Sequence, residues 1–254
     1  RPPRSTLFPY PTLFRSLVDH VLADPAAHVA VLTNGMALER LTSLADWPRD
    51  RLHWQISVDG LQDRHDGLRG AGSFARLRQQ LAGLRQQGWP FTLSMCVEAD
   101  NLADMAAVVE LAADWGAANV HFMWYFVRGR GGAERFADPG RIAAELRRAL
   151  AVAERRGVRI DNLDALRTQL FAPPGTRHDG SGAGWQALAI GPDDRLYPSA
   201  ALVDVAELAT DLTAGLAAAW RDSAALTAIR HSSCATQDSP WRFLLGGGDR
   251  KSVV

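Results

Sequence analysis

The feature that most constrains the fold is an alternation. A short apolar run, a polar or glycine-bearing turn and a helix-period stretch follow one another repeatedly through the first half of the chain. "HVAVLTNG" (28–35), "RLHWQISV" (51–58), "PFTLSMCVE" (90–98) and "NVHFMWYFV" (119–127) are short, rich in β-branched and aromatic residues, and read as strands. Between them, 36–44 reads as a helix. "FARLRQQLAGLRQQG" places Phe74, Leu77, Leu81 and Leu84 on one helical face, with Ser73 as cap and Gly88 as stop. A third helix opens at Asp100 or Asn101 and runs to Trp115, closed by Gly116. Strand–helix alternation with short connections predicts parallel β/α units. The strands read as continuous apolar runs, as expected when helices cover them.

In parallel sheets and barrels, ligands collect at the C-terminal ends of the strands. Those ends read "TNG", "SVDG", "CVEADN" and "VRGRG", all polar or glycine-rich. The second opens a stretch, "ISVDGLQDRHDGLRG" (56–70), that reads as a long loop holding Asp59, Asp63, Asp66 and Arg69.

A chain of 254 residues, 47% of them hydrophobic, can bury one barrel-sized core with a small appendage. Lys plus Arg balance Asp plus Glu at 28 each, which gives no bulk electrostatic reason to bind nucleic acid or an anionic membrane. No apolar run approaches the roughly 18 residues of a membrane span. Two cysteines, Cys96 and Cys234, make no disulfide framework, and a reducing cytoplasm is the expected location.

From Pro139 the texture changes. A helix over 141–156 ends at Gly157, "VRI" follows, and another helix is expected near 163–171. The Pro- and Gly-rich 172–184 reads as a linker, and "QALAIGPDDRLYPSAAL" as a hairpin turning at Gly191–Pro192–Asp193–Asp194. Helices near 213–220 and 223–229 complete the pattern. At the ends, "TLFPYPTLFRS" (6–16) and "DRKSVV" (249–254) resemble translated sequencing-adapter oligonucleotide, so 1–16 and 249–254 are expected to be non-native.

The ordered series "LTNG", "SVDG…RHDGLRG…GSF", a helix ending "LRQQG", "CVEADN", a helix ending "WGA" and "VRGRG" resembles the radical S-adenosylmethionine superfamily. It is most similar to members with a SPASM-type C-terminal extension, many of which mature peptides. The resemblance spans about 17–240. It implies an α/β fold: a partial (β/α) barrel of parallel strands, lacking the first strands, with a small hairpin-plus-helices extension. The implied layout is barrel over 17–138, connecting helices over 139–175 and a degenerate SPASM-like extension over 176–248. It also implies S-adenosylmethionine as cofactor, with Ser57 and Arg69 matching the positions that hold its carboxylate. An Arg can do so through paired charge-assisted hydrogen bonds. Asp59 belongs to the same motif, and its side chain is expected to order the turn. Asn34 and Asn101 stand at the same rim, each a cofactor contact or simply turn and cap chemistry. Arg128, with Arg130, follows the fourth strand where the family's chain passes the cofactor.

The family's C-x3-C-x2-C loop, whose thiolates hold a [4Fe–4S] cluster, is not in this sequence. The resemblance places it upstream of residue 17 in a longer parent. The parent would act on a peptide or small protein by 5′-deoxyadenosyl-radical hydrogen abstraction and would need a reductant protein. The present chain would be inactive. In the extension, Ser181 or a neighbour, and Ser199 ("YPSA"), stand where the family's cysteines are usual, leaving Cys234 as the one remnant ligand and no metal site. A rival reading is a non-catalytic peptide-binding homologue that lost its clusters. A third is an unrelated barrel using Asp59 and Asp66 as acid–base carboxylates. "RGAGSFA" (69–75) contains G-x-G-x-x-A but lies too far from a strand for a dinucleotide fingerprint. His65, beside Asp66, reads as an ordinary exposed histidine.

Overall fold

The computed structural model describes residues 11–39, 46–125, 127, 131–164, 183–185, 187–203 and 205–231. They form two compact units, one through Asn162 and one from Leu163.

The first unit is built on five parallel strands: β1 (Val29–Thr33), β2 (Leu52–Ser57), β3 (Phe91–Val97), β4 (Asn119–Trp124) and β5 (Arg159–Ile160). Their order in the sheet is their order in the chain. A right-handed crossover at every step then puts each connecting helix on the same side, as in a barrel wall and unlike a doubly wound sheet. The partial parallel β/α arrangement implied above is therefore the observed one. Its fifth strand comes from "VRI", beyond the four expected.

The helices follow from local signals. Helix α1 (Pro11–Leu22) precedes β1; Trp47 donates Nε1–H to its Asp19 at 2.6 Å, and Phe14 meets Trp47 edge-on. Two helices connect β2 to β3: α2 (Gln62–Arg69) and α3 (Ser73–Gln86). The stretch expected to be one long loop thus contains eight helical residues. On α3, Phe74, Leu77, Leu81 and Leu84 are all buried, as their spacing requires. A 3₁₀ turn (Leu102–Asp104) runs into α4 (Met105–Trp115), which Gly116 ends in the left-handed conformation. Helix α5 (Pro139–Arg156) starts with Pro139 in its first turn and the Asp138 carboxylate accepting from Arg141 N at 2.9 Å; Gly157 closes it.

The strands are not the continuous apolar runs their composition suggested. β2 alternates strictly, with Leu52, Trp54 and Ile56 buried and His53, Gln55 and Ser57 half-exposed. In β3 and β4, Leu93, Met95, Val97, Val120 and Phe122 belong to the buried core, where α3, α4 and α5 supply Leu77, Leu81, Met105, Val108 and Ala149. The register aligns His53, Gln55 and Ser57 with Thr92, Ser94, Asn119 and His121 on the opposite face. A parallel sheet covered by helices on one side only needs period-2 patterning, since the other side stays polar.

The second unit contains an antiparallel hairpin, β6 (Ala189–Ile190) and β7 (Leu196–Tyr197), at the expected place. Asp194 adopts φ 57° in its turn, and Asp193 accepts from the Tyr197 hydroxyl at 2.6 Å. Leu196 packs with Ala219 of α6 (Leu216–Asp222) and Leu226 of α7 (Ala224–His231).

Candidate functional site

The C-terminal ends of β1, β2 and β3 bring several of the sequence-predicted residues to one rim. Asp59, two residues past β2, is buried. Its carboxylate takes both Nε and Nη2 of Arg69, the latter at 3.2 Å. The pair exists because α2 turns the chain back, carrying Arg69 at its last position over the strand end. Asp59 therefore orients Arg69; it does not order the turn by bonding to turn amides. Its own N–H donates to Nδ1 of His65 at 3.3 Å. With Nδ1 accepting, the proton of neutral His65 sits on Nε2, which has no partner. His65 is completely buried, not exposed, lies edge-on to Phe74, and burial pushes its pKa below the ordinary histidine value.

Asn101 joins the same cluster. Its Nδ2 donates to Cys96 O at 2.8 Å and Asp59 O at 3.4 Å, and its Oδ1 accepts from Glu98 N at 2.8 Å. It makes no side-chain cap to the following helix; it ties the exits of β2 and β3 together. Asn34 closes its own turn, Oδ1 accepting from Met36 N at 3.1 Å, and its side chain is exposed. Ser57 is half-exposed at the end of β2, with no side-chain hydrogen bond among the described residues. Arg128, Arg130, Ser181 and Cys234 lie outside the described residues.

Asp66 has a structural duty. It accepts from Phe74 N at 2.7 Å, Ser73 Oγ at 3.0 Å and Gly72 N at 3.0 Å, so it caps α3 from six to eight residues upstream. Ser73 is not the cap but the first helical residue. The Phe74 amide hydrogen bond, chiefly, holds the Asp66 carboxyl below its ordinary pKa. A carboxylate saturated by three donors is a poor acid–base group.

Beside the Asp59–Asn101 tie lies an open cleft of about 420 Å³, lined by Asp59, Arg64, Leu68, Glu98, Asn101 and Arg135 among others. That size suits a small organic ligand. Arg135 is forked onto Glu98, with Nε at 2.8 Å from Oε2, and lies over the Tyr125 ring at 5.3 Å. Sequence reasoning missed this pair, because Arg135 belongs to no motif and 37 positions separate it from Glu98 of "CVEADN".

It also missed the polar sheet face. His53 Nε2 and Thr92 Oγ1 share a hydrogen bond at 2.6 Å, Thr92 continues to Asn119, and Gln55 Nε2 donates to Ser94 Oγ at 2.9 Å. His121 Nδ1 lies 2.7 Å from Asp161 Oδ1. The alternation of polar and apolar residues along β2 and β4 was the available signal.

No family model matches the chain. It is similar over part of its length to two relatives. The PqqA peptide cyclase of Ruegeria pomeroyi is 32% identical over 235 residues, covering 84% of this chain and 59% of the relative. The AdoMet-dependent heme synthase of Methanosarcina barkeri is 32% identical over 112 residues, covering 42% of this chain and 32% of the relative. The chain thus spans between a third and three-fifths of these proteins. Among solved structures, anSMEcpe with bound AdoMet and the Kp18Cys peptide matches with a TM-score of 0.69 at 13% identity, covering 91% of this chain and 70% of that one. SuiB of Streptococcus suis, bound to its precursor peptide SuiA, matches with a TM-score of 0.65 at 14% identity over 82% of this chain and 52% of that one. The likeness to these structures shows the fold, a parallel β/α sheet with helices. These similarities bear out the resemblance to the radical S-adenosylmethionine superfamily.

Proposed function

We propose that the chain carries the S-adenosylmethionine-binding rim of a protein that modifies a peptide or small protein. The observation that supports this reading is the group at the end of β2. Arg69 is oriented by Asp59 through Nε and Nη2, its Nη1 has no acceptor among the described residues, and the unbonded Ser57 hydroxyl stands at the same strand end. Arg69 Nη1 and Ser57 Oγ suit the two oxygens of a carboxylate, the group S-adenosylmethionine presents on its methionine end. Asn34 and Asn101 complete the proposed rim, Asn101 by holding the strand exits in place, and Arg128 is assigned to it from its sequence position alone. The peptide substrate class is supported by the relative named a peptide cyclase and by the two structural neighbours solved with peptides.

The residues present do not fit a [4Fe–4S] cluster. Such a cluster takes several thiolates, and the chain has two cysteines. Cys96 lies on β3, half-buried, and burial pushes its thiol pKa up, away from the thiolate a metal requires. Among the described residues no group of three His, Cys, Asp or Glu side chains could hold a metal. No step of radical generation is therefore assigned to these residues, and the reductant such chemistry needs has no site assigned here.

Equilibrium dialysis with labelled S-adenosylmethionine tests the rim. Saturable binding is expected. It should weaken about 10-fold or more in Arg69→Gln, since a charged hydrogen bond contributes roughly 1.5–3 kcal/mol, and a few-fold in Ser57→Ala. Binding that is absent, or unchanged in both variants, overturns the assignment. The scarcity of cysteines and Ser199 in the hairpin favour a second reading, a peptide-binding homologue without clusters. On that reading Arg69→Gln leaves peptide binding untouched and S-adenosylmethionine binding is absent from the start.

A further inference from the structure

The polar face of the sheet carries a pair that the cofactor reading does not use. Asp161 is a carboxylate and can only accept, so the 2.7 Å contact with His121 Nδ1 requires the proton on Nδ1. That leaves the lone pair of the neutral ring on Nε2. Both side chains are about one-third exposed, so part of the ring meets solvent.

The pair is held by construction. The β4–β5 ladder ends at Val120 and Ile160, one residue short of the pair. Beyond it, Asn162 continues the ladder with its side chain: Oδ1 accepts from Phe122 N at 3.3 Å and Nδ2 donates to Phe122 O at 3.1 Å. This two-point clamp fixes the residues on either side of it, placing Asp161 against His121. On the other flank the register sets Ser94 beside His121, and the Ser94 hydroxyl is itself held by Gln55.

We propose that His121 is a proton acceptor for an N–H, O–H or S–H group of a peptide bound on this face, with Asp161 and Asn162 as positioning residues. The ligand class rests on the peptide-modifying reading above; the acceptor does not. In the step, the substrate X–H bond breaks, its electron pair stays on X, and the proton bonds to Nε2. Asp161 balances the imidazolium charge, and no oxidant or reductant enters.

Diethyl pyrocarbonate, which acylates a bare imidazole nitrogen, tests this on the whole chain, with the modified residues read by mass spectrometry. His121 is expected to react, at least 10-fold faster than in Asp161→Asn. There the amide can donate to Nδ1 and drive the ring proton onto Nε2, the same tautomer error that disables a histidine–aspartate pair in hydrolases. Buried His65 should stay unmodified in both, which reports an intact fold. An unreactive His121 in the native chain, or equal rates with His65 protected, overturns the proposal. A two-bond ¹H–¹⁵N correlation of the unmodified native chain decides it without any variant: the Nδ1–H tautomer of His121 is expected, and the Nε2–H tautomer overturns it. Neither measurement involves S-adenosylmethionine, so this proposal and the rim assignment fail separately.

Discussion

At the scale of single residues, the contacts at the end of β2 make the sharpest demands. The Asp59 side chain is 9% exposed and depends on Arg69, itself 28% exposed, for its charge partner. Removing one member of a fully buried pair costs about 3–5 kcal/mol because the other is left uncompensated. With Arg69 partly in water, Arg69→Ala should cost about 2–3 kcal/mol, read as a lower urea midpoint, whereas Asp59→Asn with Arg69 intact should cost less. Equal, negligible losses would mean the pair is not the one described. His65 gives a pH signature. Its native pKa is lowered by burial, so the unfolded chain takes up a proton near pH 6.5 while the native ring stays neutral. Stability is then full above that pH and falls as pH drops through it, with His53, also lowered by burial, adding in the same sense. The urea midpoint should fall between pH 7.5 and 5.5, and fall less in His65→Asn.

At the scale of elements, one joint packs the sheet against α3 and another ties α2 to α3. Gly35 adopts φ +74°, and a Cβ there would sit 2.6 Å from Leu77 Cδ1 and 3.1 Å from Ile56 Cγ2. Gly35→Ala adds a left-handed penalty of about 1–2 kcal/mol to an overpacking cost of about 1–3 kcal/mol. The thermal midpoint should drop by several degrees more than in Ala37→Gly, two residues on. The other joint is Asp66, whose stabilising hydrogen bonds need a carboxylate. Because its native pKa is lowered, that stabilisation is present above about pH 4 and is lost as pH falls below it through the native value. Asp66→Asn should flatten the decline in stability measured from pH 5 to pH 2.5. The elements themselves were legible: the spacing of Phe74, Leu77, Leu81 and Leu84, and the stop signals Gly116 and Gly157, each mark a real helix. What escaped was two-sidedness. Large apolar residues such as Trp54 and Phe122 dominate the strand composition and hide the His53–Gln55–Ser57 alternation that defines the polar face. Contacts such as Asp59 with Arg69 and Asp66 with Phe74 depend on α2 forming inside a stretch rich in Asp, Arg and Gly, which has little helical signal of its own.

At the scale of the whole molecule, the first unit is a partial parallel β/α arrangement. Five strands in chain order carry both the proposed cofactor rim and the polar sheet face on the same unit. The chain's cysteines do not suffice for a cluster, so iron and sulfide reconstitution of the purified chain should develop no thiolate-to-iron charge-transfer absorption. A stoichiometric band would show that ligands of another kind had been overlooked. On the proposed function, the strand ends and not some other surface hold S-adenosylmethionine. Hydrogen–deuterium exchange of the chain with and without saturating S-adenosylmethionine tests it most directly. The account predicts slowed exchange in the peptides that contain 33–36, 57–69 and 97–101, with α4 and α5 unchanged. Protection confined to the helices or to the second unit, with the strand ends exchanging as before, would contradict it.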